Sequence, residues 1–170
     1  QWPELYGVYE KFVDIAPGDE AMSECYAHMA KIASDALGDP SKAVELWGRV
    51  LDLRGDDSVA LGALADLHEA AGEWREITEV LERQVRATAE PEDRIPMYKR
   101  LGRIWGEKLS RERNSLESWQ KVLEIDPGDV EALGAIAANY RSAGAWEELS
   151  ETLNRLIHIG VRSLGAEELK

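Results

Sequence analysis

The stretch from Leu61 to Leu81, LGALADLHEAAGEWREITEVL, recurs from Leu133 to Leu153 as LGAIAANYRSAGAWEELSETL. A self-similar period of this length confines the chain to folds that stack one unit on the next. Within each copy the apolar residues fall three and four apart: Leu61, Leu64 and Ala65, then Leu133, Ile136 and Ala137. That is the period of a helix face. Gly72 and Gly144 split each copy into two short helices, since glycine frees the backbone at a helix end.

The register extends beyond the two copies. Trp2, Trp74 and Trp146 align, as do Trp47 with Trp119, Tyr26 with Tyr98 and Ile32 with Ile104. Breaks fall at Ala16-Pro17-Gly18, Gly38-Asp39-Pro40, Arg54-Gly55-Asp56-Asp57, Ala89-Glu90-Pro91 and Asp126-Pro127-Gly128-Asp129. Proline removes a backbone donor, and Asp19 and Asp39 read as helix N-caps. A helix near 92–109 carries Tyr98, Leu101, Ile104 and Trp105. No stretch sustains period-two alternation, so no strands are predicted. The chain reads as one all-α repeat domain over 1–170. It comprises a half repeat at 1–16, helix pairs at about 19–54, 57–89, 92–126 and 129–159, and the start of a further repeat or cap at 160–170.

Tyr98-x-x-Leu101-Gly102-x-x-Trp105, with softer versions at Leu133–Tyr140 and Leu61–His68, resembles the first helix of the tetratricopeptide repeat (TPR) family. Ser115, Trp119, Val122 and Pro127 fit that family's second helix, as do Ala43, Trp47 and Val50. The resemblance implies a right-handed α-solenoid of antiparallel helix pairs. Small residues at Ala65, Gly102 and Ala137 are expected to admit the paired helix closely. Trp74, Trp105 and Trp119 are expected to fill the gaps between pairs. In the overlay the chain opens on a second helix and closes before another first helix is complete. It therefore reads as a fragment of a longer array, with end-to-end self-association expected of exposed apolar ends. The Trp-marked, Ala- and Glu-rich style of the repeats resembles large bacterial TPR proteins.

The net charge of −13 repels phosphate backbones and anionic lipid, which argues against nucleic acid and membrane partners. No apolar run approaches the roughly 18 residues that a membrane-spanning helix needs. Gln1-Trp2-Pro3-Glu4 shows no basic or apolar leader region. The single cysteine, Cys25, excludes an internal disulfide and is consistent with a reducing, cytoplasmic setting.

No catalytic, cofactor or metal site is predicted, and no enzyme. Cys25 and His28 share a helix face, but two ligands do not make a zinc site. His68-Glu69 is followed by Gly72 rather than histidine, so the zinc-protease pattern is absent. There is no glycine-rich phosphate loop and no nucleophile elbow.

The resemblance implies that first helices line a concave groove holding a peptide or helical segment of a partner protein. It places Lys31, Gly62, Asp66, Lys99, Arg103, Gly134 and Arg141 there. Positions that form a carboxylate clamp in chaperone-binding relatives hold Gly62, Asp66, Gly134 and Ala138, so that role is rejected. Gly62 and Gly134 read first as sites of close helix packing, or else as a smooth groove floor. From Arg86 to Arg113 there are eight Lys and Arg against five acids. Lys99 and Arg103 stack on one helix side and form a candidate anchor for an acidic segment, against intrahelical pairing of Arg103 with Glu107. The predicted function is a protein–protein interaction scaffold. The alternatives are an RNA-binding helical repeat, of pentatricopeptide or half-TPR type, and a structural spacer.

Overall fold

The computed structural model describes the backbone of residues 1–167 and the side chains of residues 1–160. Among the described residues there are nine α-helices and no strand. They are α1 (Trp2–Val13), α2 (Asp19–Asp35), α3 (Pro40–Arg54), α4 (Ser58–Ala71), α5 (Trp74–Ala87), α6 (Pro91–Arg103), α7 (Glu112–Ile125), α8 (Val130–Ala143) and α9 (Trp146–Glu167). The fold is the all-α, TPR-like stack of helix pairs that the repeat predicts: α2 packs on α3, α4 on α5, α6 on α7 and α8 on α9.

The helix ends are set by the residues singled out as breaks. Asp39 accepts from the Lys42 N–H at 2.9 Å, Asp57 from Val59 and Ala60, and Asp129 from Ala132 at 2.8 Å. Each satisfies donors that a helix start leaves unpaired. Asp19, read as a cap, is instead the first residue of α2, and Gly18 holds the cap position. Gly72 (φ 72°) and Gly144 (φ 70°) close α4 and α8 in the left-handed region. The following N–H groups, of Glu73 and Ala145, reach back to the His68 and Tyr140 carbonyls at 2.9 Å. This six-to-one bond explains why the same glycine recurs in both copies.

Helix packing groups the chain into two compact units, Gln1–Ala87 and Thr88–Lys170. In the first, Trp47, Leu46, Val50, Leu61 and Leu64 bury against Met29, Ala30 and Ala65. In the second, Trp119, Val122, Ala132 and Ile136 form the centre, with Ile95, Tyr98, Leu116 and Leu123 packed around them. The tryptophans divide by position. Trp47 and Trp119 are buried, Trp74 and Trp105 only half so, and Trp2 and Trp146 are 55% and 67% exposed. The expectation that Trp74 and Trp105 fill gaps as Trp119 does is therefore corrected. Trp74 is the first residue of α5, beside the Gly72 turn, where a helix side chain has less to pack on.

Two predicted boundaries also differ. The helix read at 92–109 is regular only to Arg103 and then widens into a π-helical turn, Ile104–Lys108. No new helix begins at Gly160: α9 continues through Glu167, and positions 168–170 of the predicted cap lie outside the described residues.

Candidate functional site

The π-turn marks the site of greatest interest, in the second unit. Gly102 precedes it, and Trp119 of α7 lies directly against its backbone. A Cβ at Gly102 would stand 2.6 Å from Trp119 Cε2, so this glycine serves the close approach expected of it. A Cβ at Gly106 would stand 3.0 Å from Ser115 Oγ. Ser115, itself buried, donates its hydroxyl to the Gly102 carbonyl at 2.8 Å. In the widened turn the Leu109 N–H bonds the Ile104 carbonyl at 3.0 Å. The serine thus satisfies a carbonyl next to the altered ladder, as buried backbone requires.

Over this floor lies a slot of about 310 Å³. One wall is Arg103, Gly106 and Glu107. The other is Ala135, Ala138, Asn139 and Ser142, spaced along a single face of α8. Small side chains leave the slot open, and polar groups stand at its rim. Asn139 is steadied by donating from Nδ2 to the Glu112 carbonyl at 3.0 Å.

Of the seven residues named from sequence, Lys31, Gly62 and Asp66 lie in the first unit and Lys99, Arg103, Gly134 and Arg141 in the second. Lys31 lies in the first unit, in an apolar cleft of about 550 Å³ with Trp2, Leu5, Tyr9 and His28. Tyr9 and His28 stack there at 5.2 Å. Asp66 and Arg141 are exposed on α4 and α8. Gly62 and Gly134 do not mark close packing. A Cβ at Gly134 meets nothing within 4 Å, and one at Gly62 makes ordinary contact, 3.8 Å from Gln84 Nε2.

Arg103 alone of the seven lines the slot, and it is already engaged. Its guanidinium pairs with Glu131, at the start of α8, and not with Glu107. Lys99 binds Asp129 at 2.6 Å and Glu131 at 3.0 Å. The ammonium–Asp129 hydrogen bond is the main cause that raises Lys99 above its ordinary pKa, against the opposing effect of burial. Burial pushes Asp129 upward, yet the Lys99 ammonium and backbone N–H groups together hold it below the ordinary carboxylate value. The Arg103 guanidinium, then Lys99, does the same for Glu131. The basic pair of α6 is thus a clamp on α8, and Asp129 serves both as a helix cap and as an ion-pair partner.

Sequence alone does not single out Gly106, Asn139 or Ser142, and offers Glu107 only as a pairing partner for Arg103. The signal available for α8 was its run of small or short side chains at Ala135, Ala138, Asn139 and Ser142, in helical register. Among the described residues no group of three or more His, Cys, Asp or Glu could hold a metal ion. No helix among them is long and apolar enough to cross a membrane.

Residues 60–95 match the family model described as tetratricopeptide repeat. Superkiller protein 3 of Saccharomyces cerevisiae is 23% identical over 147 residues, which is 85% of this chain and 10% of that protein. The chain thus spans about a tenth of that relative's length. A crystal structure of MamA superposes with a TM-score of 0.61 at 18% identity, covering 96% of this chain and 91% of MamA. MamA from Desulfovibrio magneticus gives a TM-score of 0.54 at 18% identity, covering 95% and 97%. Nearly identical TPR-like repeats from Podosopora anserina give 0.57 at 21% identity, covering 96% and 89%. These likenesses show a shared fold. One repeat thus matches the tetratricopeptide repeat model, and the helix pairs in phase share the fold of these TPR-like structures.

Proposed function

We propose that the chain is a non-catalytic scaffold whose α6–α8 slot holds an extended or helical segment of a partner protein. Protein–protein interaction is the general role of this family. The observation that supports a particular surface is the slot itself: small side chains on two helix faces, a rigid Trp119 floor and hydrogen-bonding groups at the rim. Peptide sites combine this kind of concavity with a few fixed polar groups. Arg103 is the basic contact of the seven sequence candidates, and a partner carboxylate would reach it by exchanging with Glu131.

The net charge of −13 favours a protein partner over nucleic acid. A cytoplasmic setting belongs to the same proposal and agrees with the buried free thiol of Cys25. The matched proteins come from Desulfovibrio magneticus as well as Saccharomyces cerevisiae, and a bacterial origin is our reading of the repeat style.

Selection of peptides from a random display library tests the proposal. Peptides recovered on the native chain should lose binding to Ala138→Trp, which fills the slot from an exposed helix position. Circular dichroism should show the variant's helices intact. Selected peptides that bind this variant unchanged would overturn the slot. Recovery of no peptide would favour the spacer.

A further inference from the structure

Each unit carries another cleft, and the two are built to one plan. In the first unit a cleft of about 290 Å³ lies between α1 and α3, over Tyr26 and Met29 of α2. Its α3 wall is Lys42, Glu45, Leu46 and Arg49. In the second unit a cleft of about 240 Å³ lies between α7 and α9, over Ile136 and Tyr140 of α8. Its α9 wall is Glu148, Glu151, Thr152 and Arg155. The two walls have the same helical spacing, so Lys42 corresponds to Glu148, Glu45 to Glu151 and Arg49 to Arg155.

That one exchange of lysine for glutamate changes the chemistry. In the first cleft Lys42 Nζ sits 2.9 Å from Glu45 Oε2, so the site carries its own cation. In the second the lysine position is Glu148. Among the described residues, neither Glu148 nor Glu151 is held by a cation, and each is exposed. The remaining cation, Arg155, is turned to backbone, donating from Nη2 to the Pro127 carbonyl at 3.0 Å. Thr152 is buried and donates to the Glu148 carbonyl at 2.7 Å, which fastens the wall. Leu123, Ile136 and Tyr140 supply apolar and aromatic surface beside the two carboxylates. An alkyl stem with a cationic head fits such a mixture, because the stem packs on apolar surface while the head meets the acids.

We propose that the α7–α9 cleft takes an arginine side chain of a partner polypeptide, with Glu148 and Glu151 as acceptors. The incoming guanidinium stands where Lys42 stands in the first unit. The site uses Ile136 and Tyr140 of α8, not the face of Ala135, Ala138 and Ser142 that lines the slot. It therefore stands independently of the peptide reading. A chain of net charge −13 draws basic segments toward it, and the cleft gives them a defined end point.

The test is an NMR titration of the native chain with N-acetyl-arginine amide, and with its neutral isostere N-acetyl-citrulline amide. The arginine probe should move the Leu123, Tyr140 and Thr152 resonances saturably, and the citrulline probe should not. Glu148→Lys installs the arrangement of the first unit and should weaken the arginine probe about tenfold. Glu148→Gln should weaken it too, without a new pair. Absence of shifts with the arginine probe, equal shifts with citrulline, or unchanged affinity in Glu148→Lys would each overturn the proposal.

Discussion

The Ser115 hydroxyl donates to the Gly102 carbonyl at 2.8 Å, joining α7 to the last turn of α6, just ahead of the π-turn. The same two helices meet one turn further along, where Trp119 covers the Gly102 Cα. Gly102→Ala should therefore destabilise the chain by about 1–3 kcal/mol, the usual effect of forcing an atom into packed space. Ser115→Ala should cost about 1–3 kcal/mol by leaving a buried carbonyl unpaired. Urea unfolding measures both; native stability in Gly102→Ala would show that Trp119 shifts freely.

Ser110 is the one non-glycine among the described residues with positive φ, at 51°. The first unit has Gly38, at φ 65°, in the aligned position. The flanking bonds are also the same: Leu37 to Ile32 at 3.0 Å and Leu109 to Ile104 at 3.0 Å. The left-handed region is unfavourable for a residue with a Cβ. Ser110→Gly should raise stability by about 0.5–1 kcal/mol, net of the entropy glycine adds to the unfolded chain. A thermal or urea midpoint that falls would contradict this.

The Lys99–Asp129–Glu131–Arg103 clamp sets a pH dependence. Both carboxylates have folded pKa values below their ordinary values of 3.8 and 4.5. Their contribution is thus fully present above those values and is lost as pH falls through the lower folded ones. Lys99, raised above 10.5, contributes fully below that value and loses its contribution only as pH climbs past its folded pKa. Asparagine caps a helix about as well as aspartate, so Asp129→Asn removes the charge and keeps the cap. It should cost about 1 kcal/mol at pH 7, given the modest worth of partly exposed pairs. The difference between native and variant should shrink on titration below pH 4. A difference independent of pH would assign the effect to the cap.

Helix α1 exposes a stripe of Trp2, Leu5, Val8 and Phe12. In α5 the aligned Ile77 and Val80 are 0% and 8% exposed, covered by the partner helix α4. We expect the α1 stripe to drive self-association, as apolar faces of this kind do. Sedimentation analysis should show mass rising with concentration for the native chain. It should show a monomer for Val8→Glu with Phe12→Glu. A native chain that stays monomeric as its concentration rises would remove the idea.

The helix pairs, caps and closing glycines are legible in the sequence because each is a local signal. Asp39, Asp57 and Asp129 stand just before apolar periods, and Gly72 and Gly144 just after them. The clamp is not legible in the same way. Lys99 and Arg103 read either as an intrahelical pairing of Arg103 with Glu107 or as an anchor for a partner's acids, because their actual partners, Asp129 and Glu131, lie about thirty residues on and meet them only after α6 and α8 are placed. The π-turn escapes for a similar reason. The serine and tryptophan that pack beside it stand on the next helix, outside the residues that form it. Gly62 and Gly134 show the opposite error: recurrence reads as packing, and the space beside them is open or ordinary. The register of residues finds the repeat, but only the fold tells which small residues are pressed upon.

The most direct measurement is a crystal structure of the native chain with a library-selected peptide. The peptide should lie between α6 and α8, touching Arg103, Ala135, Ala138 and Asn139 over Trp119. A peptide bound on another face, with the slot empty, would contradict it.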